Sequence, residues 1–145
     1  MSPEDFAEYL DDLGEHCESG SFEEPLREVL PVLMEGFEQN FMRAENESGT
    51  PWPPRVDDLP HPLLILSGAL IEATRDTGSA GNIHTVSERN LETGVKGSVI
   101  AYASIHNDGA GNIPQRQFLY ASPETSKACA EAFASSAYFV LFGFG

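Results

Sequence analysis

A chain of 145 residues is long enough for one hydrophobic core and too short for two independent ones. With 41% hydrophobic and 10% aromatic residues it has the material for that core, which excludes wholesale disorder. Eight Lys and Arg against 23 Asp and Glu leave −15 at neutral pH, a balance that excludes gripping nucleic-acid phosphates or an anionic membrane through a basic face.

In chain order, the first predicted element is a helix opened by Ser2-Pro3-Glu4, an N-cap hydroxyl, a first-turn proline and an early acid. Phe6, Tyr9, Leu10 and Leu13 recur at helical spacing, and Gly14 or Gly20 ends the segment. A second helix is predicted from about residue 22 to 46, where Phe22, Leu26, Leu30, Leu33, Phe37 and Phe41 draw one apolar stripe. Ser21-Phe22-Glu23-Glu24 is a candidate capping box. Pro31 removes the donor to the Arg27 carbonyl, so a kink or a later helix start is expected.

Residues 47–62 form a connector stiffened by Pro51, Pro53, Pro54, Pro60 and Pro62. Its Trp52 is either a plug for the edge of the core or an anchor at an interface. Leu63–Leu66 and Ala69–Ile71 fit a short buried helix or a strand equally. Strands are predicted at Asn82–Ser87, at Gly97–His106 with Val99, Ala101, Ala103 and Ile105 on one face, and at Gln117–Ala121. The mixed opposite face of the second strand, Ile100, Tyr102, Ser104 and His106, asks for two coverings, one from helices and one from a neighbouring subunit. Asn107-Asp108-Gly109-Ala110-Gly111-Asn112 is a turn, and Ser122-Pro123-Glu124 opens a helix running to about residue 136. The last nine residues, 137–145, carry no charge and include Phe139, Phe142 and Phe144; such a tail must dock on its own domain or on another chain.

Together these elements describe a single α+β domain over residues 1–145. Helices in 1–46 pack on a small, mostly antiparallel sheet. The connector 47–62, a sheet-plus-helix part 63–136 and the apolar tail 137–145 complete it. The acids are unevenly placed. Residues 1–58 hold 16 acidic and 3 basic side chains, whereas 59–145 hold 7 and 5. That excess is either a set of solvated helix faces or a surface that meets a basic partner or repels DNA. The acidic N-terminus lacks the basic and then apolar pattern of a secretory signal, and the longest apolar run is too short to span a membrane, so no membrane partner is expected. Cys17 and Cys129 lie far apart without ligand spacing and read as reduced thiols.

The histidines give little chemistry. His16 and Cys17 are adjacent on a predicted helix and diverge; His61 sits between prolines; His84 lies among polar neighbours in a strand. His106 with Asp108 is the one pair suited to general-base work, but no nucleophile elbow and no phosphate-cradling glycine loop accompanies it. No catalytic residue, cofactor site or metal site is therefore assigned. A soluble acidic regulator, or a small enzyme using His106 and Asp108, is the alternative reading.

Four stretches carry a further signal. They are Glu45-Asn46-Glu47-Ser48-Gly49-Thr50-Pro51-Trp52-Pro53-Pro54, Pro62-Leu63-Leu64-Ile65-Leu66-Ser67-Gly68-Ala69-Leu70, Tyr102-Ala103-Ser104-Ile105-His106-Asn107-Asp108-Gly109 and Ile113-Pro114-Gln115-Arg116-Gln117-Phe118-Leu119-Tyr120. In this order they resemble the virion morphogenesis (tail completion) family of Mu-like phages over about residues 22–136. Ser67 stands where the family usually has Thr, and the tail after residue 137 has no counterpart in it.

The resemblance implies a non-catalytic, cofactor-free structural subunit of the head–tail junction, made in the cytoplasm of the bacterial host and built into the virion. Its partners would be copies of itself in a ring, often sixfold in such families, together with neighbouring connector and tail tube or sheath proteins. DNA would pass through without being gripped. On this reading Trp52, Tyr102, His106, Arg116, Phe118, Phe139 and Phe142 are the candidate interface residues. Tyr102 and His106 share one face, as interface or core, and Arg116 offers its planar fork to a carboxylate of its own or of an adjacent subunit. Gly109 and Gly111 would allow the positive φ of a tight exit. Six copies would gather a charge on the order of −90 around the channel or its rim.

Overall fold

The computed structural model describes residues 2–56, 63–65 and 68–142, with the side chains of Phe139, Val140 and Phe142 outside that set. Among the described residues the chain is an α+β fold of five helices and one two-stranded antiparallel sheet. The elements are α1 (Pro3–Ser19), α2 (Glu23–Arg43), α3 (Ala69–Arg75), β1 (Asn82–Val86), β2 (Leu91–Val95), α4 (Ala103–Asp108) and α5 (Pro123–Phe142).

Local signals account for the helix starts. Ser2 caps α1 through a reciprocal box with Asp5, accepting from the Asp5 N–H at 3.1 Å while the Ser2 N–H donates to Asp5 Oδ2 at 2.8 Å. Those bonds hold the Asp5 carboxyl below its ordinary pKa. Of the two glycines offered as its end, Gly20 stops α1. The expected box at the start of α2 does not form: Phe22 occupies the cap, and Ser21 Oγ accepts only from the Glu23 N–H. Helix α2 runs unbroken through Pro31, which lies on the exposed side with Arg27, where the orphaned carbonyl can turn to water. Ser122 is buried and caps α5, accepting from the Thr125 N–H and donating to Thr125 Oγ1, both at 3.1 Å.

The buried face of α2 is not quite the apolar stripe. It comprises Pro25, Val29, Met34, Gly36, Phe37, Asn40 and Phe41, while Leu26, Leu30 and Leu33 stay partly exposed. The rotation follows from α5, the helix with which α2 packs most extensively. A Cβ at Gly36 would lie 2.4 Å from Thr125 Oγ1 and Cγ2, so glycine there is what lets the two helices approach. The core proper joins Phe41, Trp52, Leu70, Ile71, Ala73, Ile100, Ala103 and Phe118.

Two predicted strands are corrected. Residues 97–106 turn and then enter α4, because the Lys96 carbonyl accepts from both the Val99 and Ile100 N–H groups and curls the chain at once. The residues buried there are Ile100 and Ala103, three apart, which is helical spacing rather than alternation. The real partner of β1 is β2, in the register Asn82↔Val95 to Val86↔Leu91. Residues 117–121 form no strand: the chain bends at 119–120 and pairs with no strand among the described residues. The proposed tail is corrected in part as well: α5 continues to Phe142, so residues 137–142 belong to a helix, and 143–145 lie outside the described residues. The segment 63–71, left open between helix and strand, resolves at its end into α3.

Helix α1 stands apart. None of its residues is buried, and its C-terminal end is tied to the β1–β2 loop. Arg89, in the β1–β2 loop, donates to the Cys17 carbonyl at 2.6 Å and to the Gly20 carbonyl at 2.9 Å, and lies over the Phe22 ring. The Phe22 ring in turn meets His16 edge-on and Phe133 of α5.

Candidate functional site

An irregular segment without a sheet partner must satisfy its backbone elsewhere. Residues 117–120 do so with side chains from four distant places. Asn46 Oδ1 accepts from the Gln117 N–H, and Asn107 Oδ1 accepts from the N–H groups of both Phe118 and Leu119, all at 3.0 Å. Trp52 Nε1 donates to the Gln117 carbonyl at 3.0 Å. Asn40 Nδ2 donates to the carbonyls of Phe118 and Tyr120, both at 2.8 Å. The Tyr120 hydroxyl closes the set by donating to the Glu45 carbonyl at 2.6 Å.

Arg116 extends this clasp to the connector. Its guanidinium donates through Nε and Nη2 to the Pro53 carbonyl and through Nη2 to the Pro54 carbonyl, at 2.9–3.1 Å. The expectation of a carboxylate partner is therefore replaced within the chain by carbonyl oxygens. A run of prolines has acceptors and no donors, and a fixed fork of donors suits it. The Arg116 N–H also donates to the His106 carbonyl at 2.7 Å, tying the exit of α4 to the same segment. Gly109 and Gly111 adopt φ of 77° and 55°, the positive values expected of the turn between them.

The candidate interface residues divide sharply. Trp52 and Phe118 are buried inside this chain, on either side of Phe41: the Phe41 and Phe118 rings lie 5.1 Å apart and the Phe41 and Trp52 rings 6.0 Å apart, edge-on. Of the two roles offered for Trp52, its position is that of the core plug. Tyr102 and His106 share a face, through the one-turn spacing of a helix rather than through a strand, with ring centroids 6.0 Å apart. Tyr102 is exposed, His106 and Arg116 are half-buried. Phe139 and Phe142 fall in the last turn of α5, and their side chains lie outside the described set.

His106 and Asp108 are not brought together. Two residues apart on a helix they point about 200° from one another, and the Asp108 carboxylate accepts instead from Asn107 Nδ2 at 2.9 Å. Burial, and then the nearby Arg116 charge, push the His106 imidazole below its ordinary pKa of 6.5, and its Nδ1 is buried without a partner among the described residues. The sign of the linkage follows. The unfolded chain binds a proton near pH 6.5 that the folded one resists, so stability declines as pH falls below about 6.5 and levels off once the folded imidazole also protonates. His106→Gln is expected to flatten that decline. Urea midpoints for the two proteins between about pH 7.5 and about pH 5.5 check it, since the other histidines are common to both.

Elsewhere, His84 Nδ1 shares a hydrogen bond with Asn82 Oδ1, and His61 lies outside the described residues. An open cleft of about 510 Å³ lies between α2 and the end of α3, and Arg75 on its wall is bound by Glu38 and Glu72. Among the described residues no group of His, Cys, Asp and Glu is arranged to hold a metal ion, and no helix is long and apolar enough to cross a membrane.

Sequence reasoning missed Asn40 and Asn107. Asn40 is a polar residue on a predicted helix, where pattern reading assigns it to solvent; Asn107 was read as part of a turn and lies in α4; and their shared partner segment was read as a strand. Comparison with known protein families, with curated proteins and with solved structures finds no match to this chain.

Proposed function

We propose that this chain is a structural subunit of the neck of a tailed phage, a tail completion or terminator protein that forms a ring between head and tail. The observation that carries the reading is the meeting of the four stretches that resemble that family. Trp52 from the first, Leu70 from the second, Ala103 from the third and Phe118 from the fourth share one core cluster, and Leu63, Leu64 and Ile65 pack against it. Asn46, Asn107 and Arg116 join the same stretches by hydrogen bonds. Motifs that serve one architecture are expected to meet in space, and these do.

The acidity fits the same role. A ring through which DNA passes benefits from a wall that does not bind phosphates, and most of the −15 lies in residues 1–58. Part of that excess then faces the bore or a basic neighbouring ring.

Native mass spectrometry of the full chain, together with peptide mapping of purified particles, tests the proposal. A discrete oligomer and incorporation into virions at a fixed ratio are expected. A chain that stays monomeric, is missing from particles and shows an enzymatic activity lost on His106→Ala would overturn it.

A further inference from the structure

The open cleft of about 510 Å³ between α2 and the end of α3 is lined by apolar and acidic side chains of one helix face together. Leu30, Met34 and Glu38 form one row of α2 at four-residue steps, and Pro31 and Glu35 form the row beside it. The carboxylates and the apolar groups therefore border the same space, and Asp76 adds a third carboxylate from the end of α3. Arg75 is the one cation of the lining, and its fork is already taken. Its Nη1 donates to Glu38 Oε1 at 2.6 Å and its Nε to Glu72 Oε1 at 3.1 Å. Glu35 is exposed and has neither a hydrogen bond nor an ion pair among the described residues. The main chain supplies a further acceptor. Pro31 has no N–H to give the Arg27 carbonyl, which points along the helix at the Pro31 ring on the cleft wall.

We infer that this cleft receives an arginine-bearing segment of a basic partner protein. The lining offers free acceptors beside apolar carbon, and an arginine matches both at once. Its aliphatic stem lies on Leu30, Pro31 and Met34, while its planar fork donates to the Glu35 carboxylate. A neighbouring N–H of the same segment can take the Arg27 carbonyl. A second copy of this chain is a poor occupant, because six of its eight basic side chains are already engaged. Arg27 pairs with Glu23, Arg43 with Glu124, Arg75 with Glu38 and Glu72, and Lys127 with Glu131. Arg89 and Arg116 are bound to backbone carbonyls. The occupant is thus a different and more basic chain, and the inference stands whether or not copies of this protein form a ring.

The test titrates the full-length ¹⁵N-labelled protein with a short, end-capped peptide in which two arginines lie between leucines. The same peptide with citrulline in place of arginine keeps the shape and removes the charge. At a salt concentration of about 150 mM, saturable amide shifts are expected at residues 30–38 and 75–77 with the arginine peptide alone. Glu35→Gln is expected to weaken binding by about fivefold, the size of a good exposed ion pair, and Glu35→Lys by about tenfold or more. Both are exposed substitutions that keep helix propensity, and melting checks the fold. Asp11→Asn with Asp12→Asn, which removes more charge but lies on α1, should change affinity by less than about twofold. Equal binding of the citrulline peptide overturns the inference, as do an unchanged affinity in Glu35→Gln, shifts centred on α1, or no saturable shifts at millimolar peptide. A chain that binds the peptide as expected yet stays monomeric and is missing from particles counts against the ring reading alone.

Discussion

Replacing Phe118 with alanine is expected to destabilise the folded chain by about 3–5 kcal/mol, the usual cost of a large cavity in a close-packed core. Its ring is 0% exposed and stacks on Phe41 at 5.1 Å, in the one cluster that also holds Trp52, Leu70 and Ala103. Against a total stability of about 5–15 kcal/mol, a loss of that size lowers the melting temperature by roughly 10 °C. Thermal melting of the isolated chain, followed by circular dichroism, measures it. The result also separates two roles. A residue used chiefly at an interface would leave the melting of the single chain nearly unchanged while weakening assembly. An unchanged melting temperature for Phe118→Ala would contradict the core position argued above.

The second large effect belongs to Asn40. Its side chain is fully buried, and its Nδ2 donates to two carbonyls of a segment that has no strand beside it. Asn40→Ala removes the donor from both acceptors, the buried Phe118 carbonyl and the partly buried Tyr120 carbonyl, and opens a small void at the junction of α2 and the clasp. A loss of about 3 kcal/mol is expected, since each buried group left unsatisfied costs about 1–3 kcal/mol and water recovers part of it. Asn40→Asp keeps the volume but replaces the donor with a carboxylate facing two carbonyl oxygens, and should be at least as damaging. Hydrogen exchange of the Phe118 and Leu119 amides gives the local readout. Both donate to Asn107, and their protection should fall with that of the segment. Retained protection in Asn40→Ala would mean that the Asn107 bonds hold the segment unaided.

These two residues show where pattern reading loses its grip. Phe118 was named only as a candidate interface residue, through the resemblance, and the fold places it in the core of its own chain. Nor does it lie on the predicted strand: the neighbours that satisfy its backbone are 11 and 78 residues away along the chain. Asn40 was not legible at all. A polar side chain on an amphipathic helix is ordinarily solvated, and nothing within a turn or two announces two distant carbonyls. Gly36 is similar: as a helical glycine it looks like a weak point, until the approach of Thr125 makes its missing Cβ the condition for α2 to pack on α5. The 97–106 segment shows the opposite error. Its β-branched and aromatic content argues for a strand, yet the Lys96 carbonyl captures two following amides and the chain turns. Composition there is a weak preference, overruled by which two side chains reach the core.

Read alone, the amino-acid sequence determined the α+β class, the starts of α1 and α5, the presence of β1 and the concentration of acid before residue 59. Each of these depends on signals within one or two turns, or on counting: a capping hydroxyl, a helical spacing, an alternation, a charge balance. Tertiary structure decided which face of α2 is buried, that Trp52 and Phe118 belong to the core, that Arg116 holds carbonyls rather than a carboxylate, and that α1 is left with an exposed apolar edge. The physical reason is the same throughout. A buried backbone group must find a partner, most of the partners here lie 63–80 residues away in sequence and those from Asn107 lie 11 and 12 away, and no local pattern records a bond across such distances.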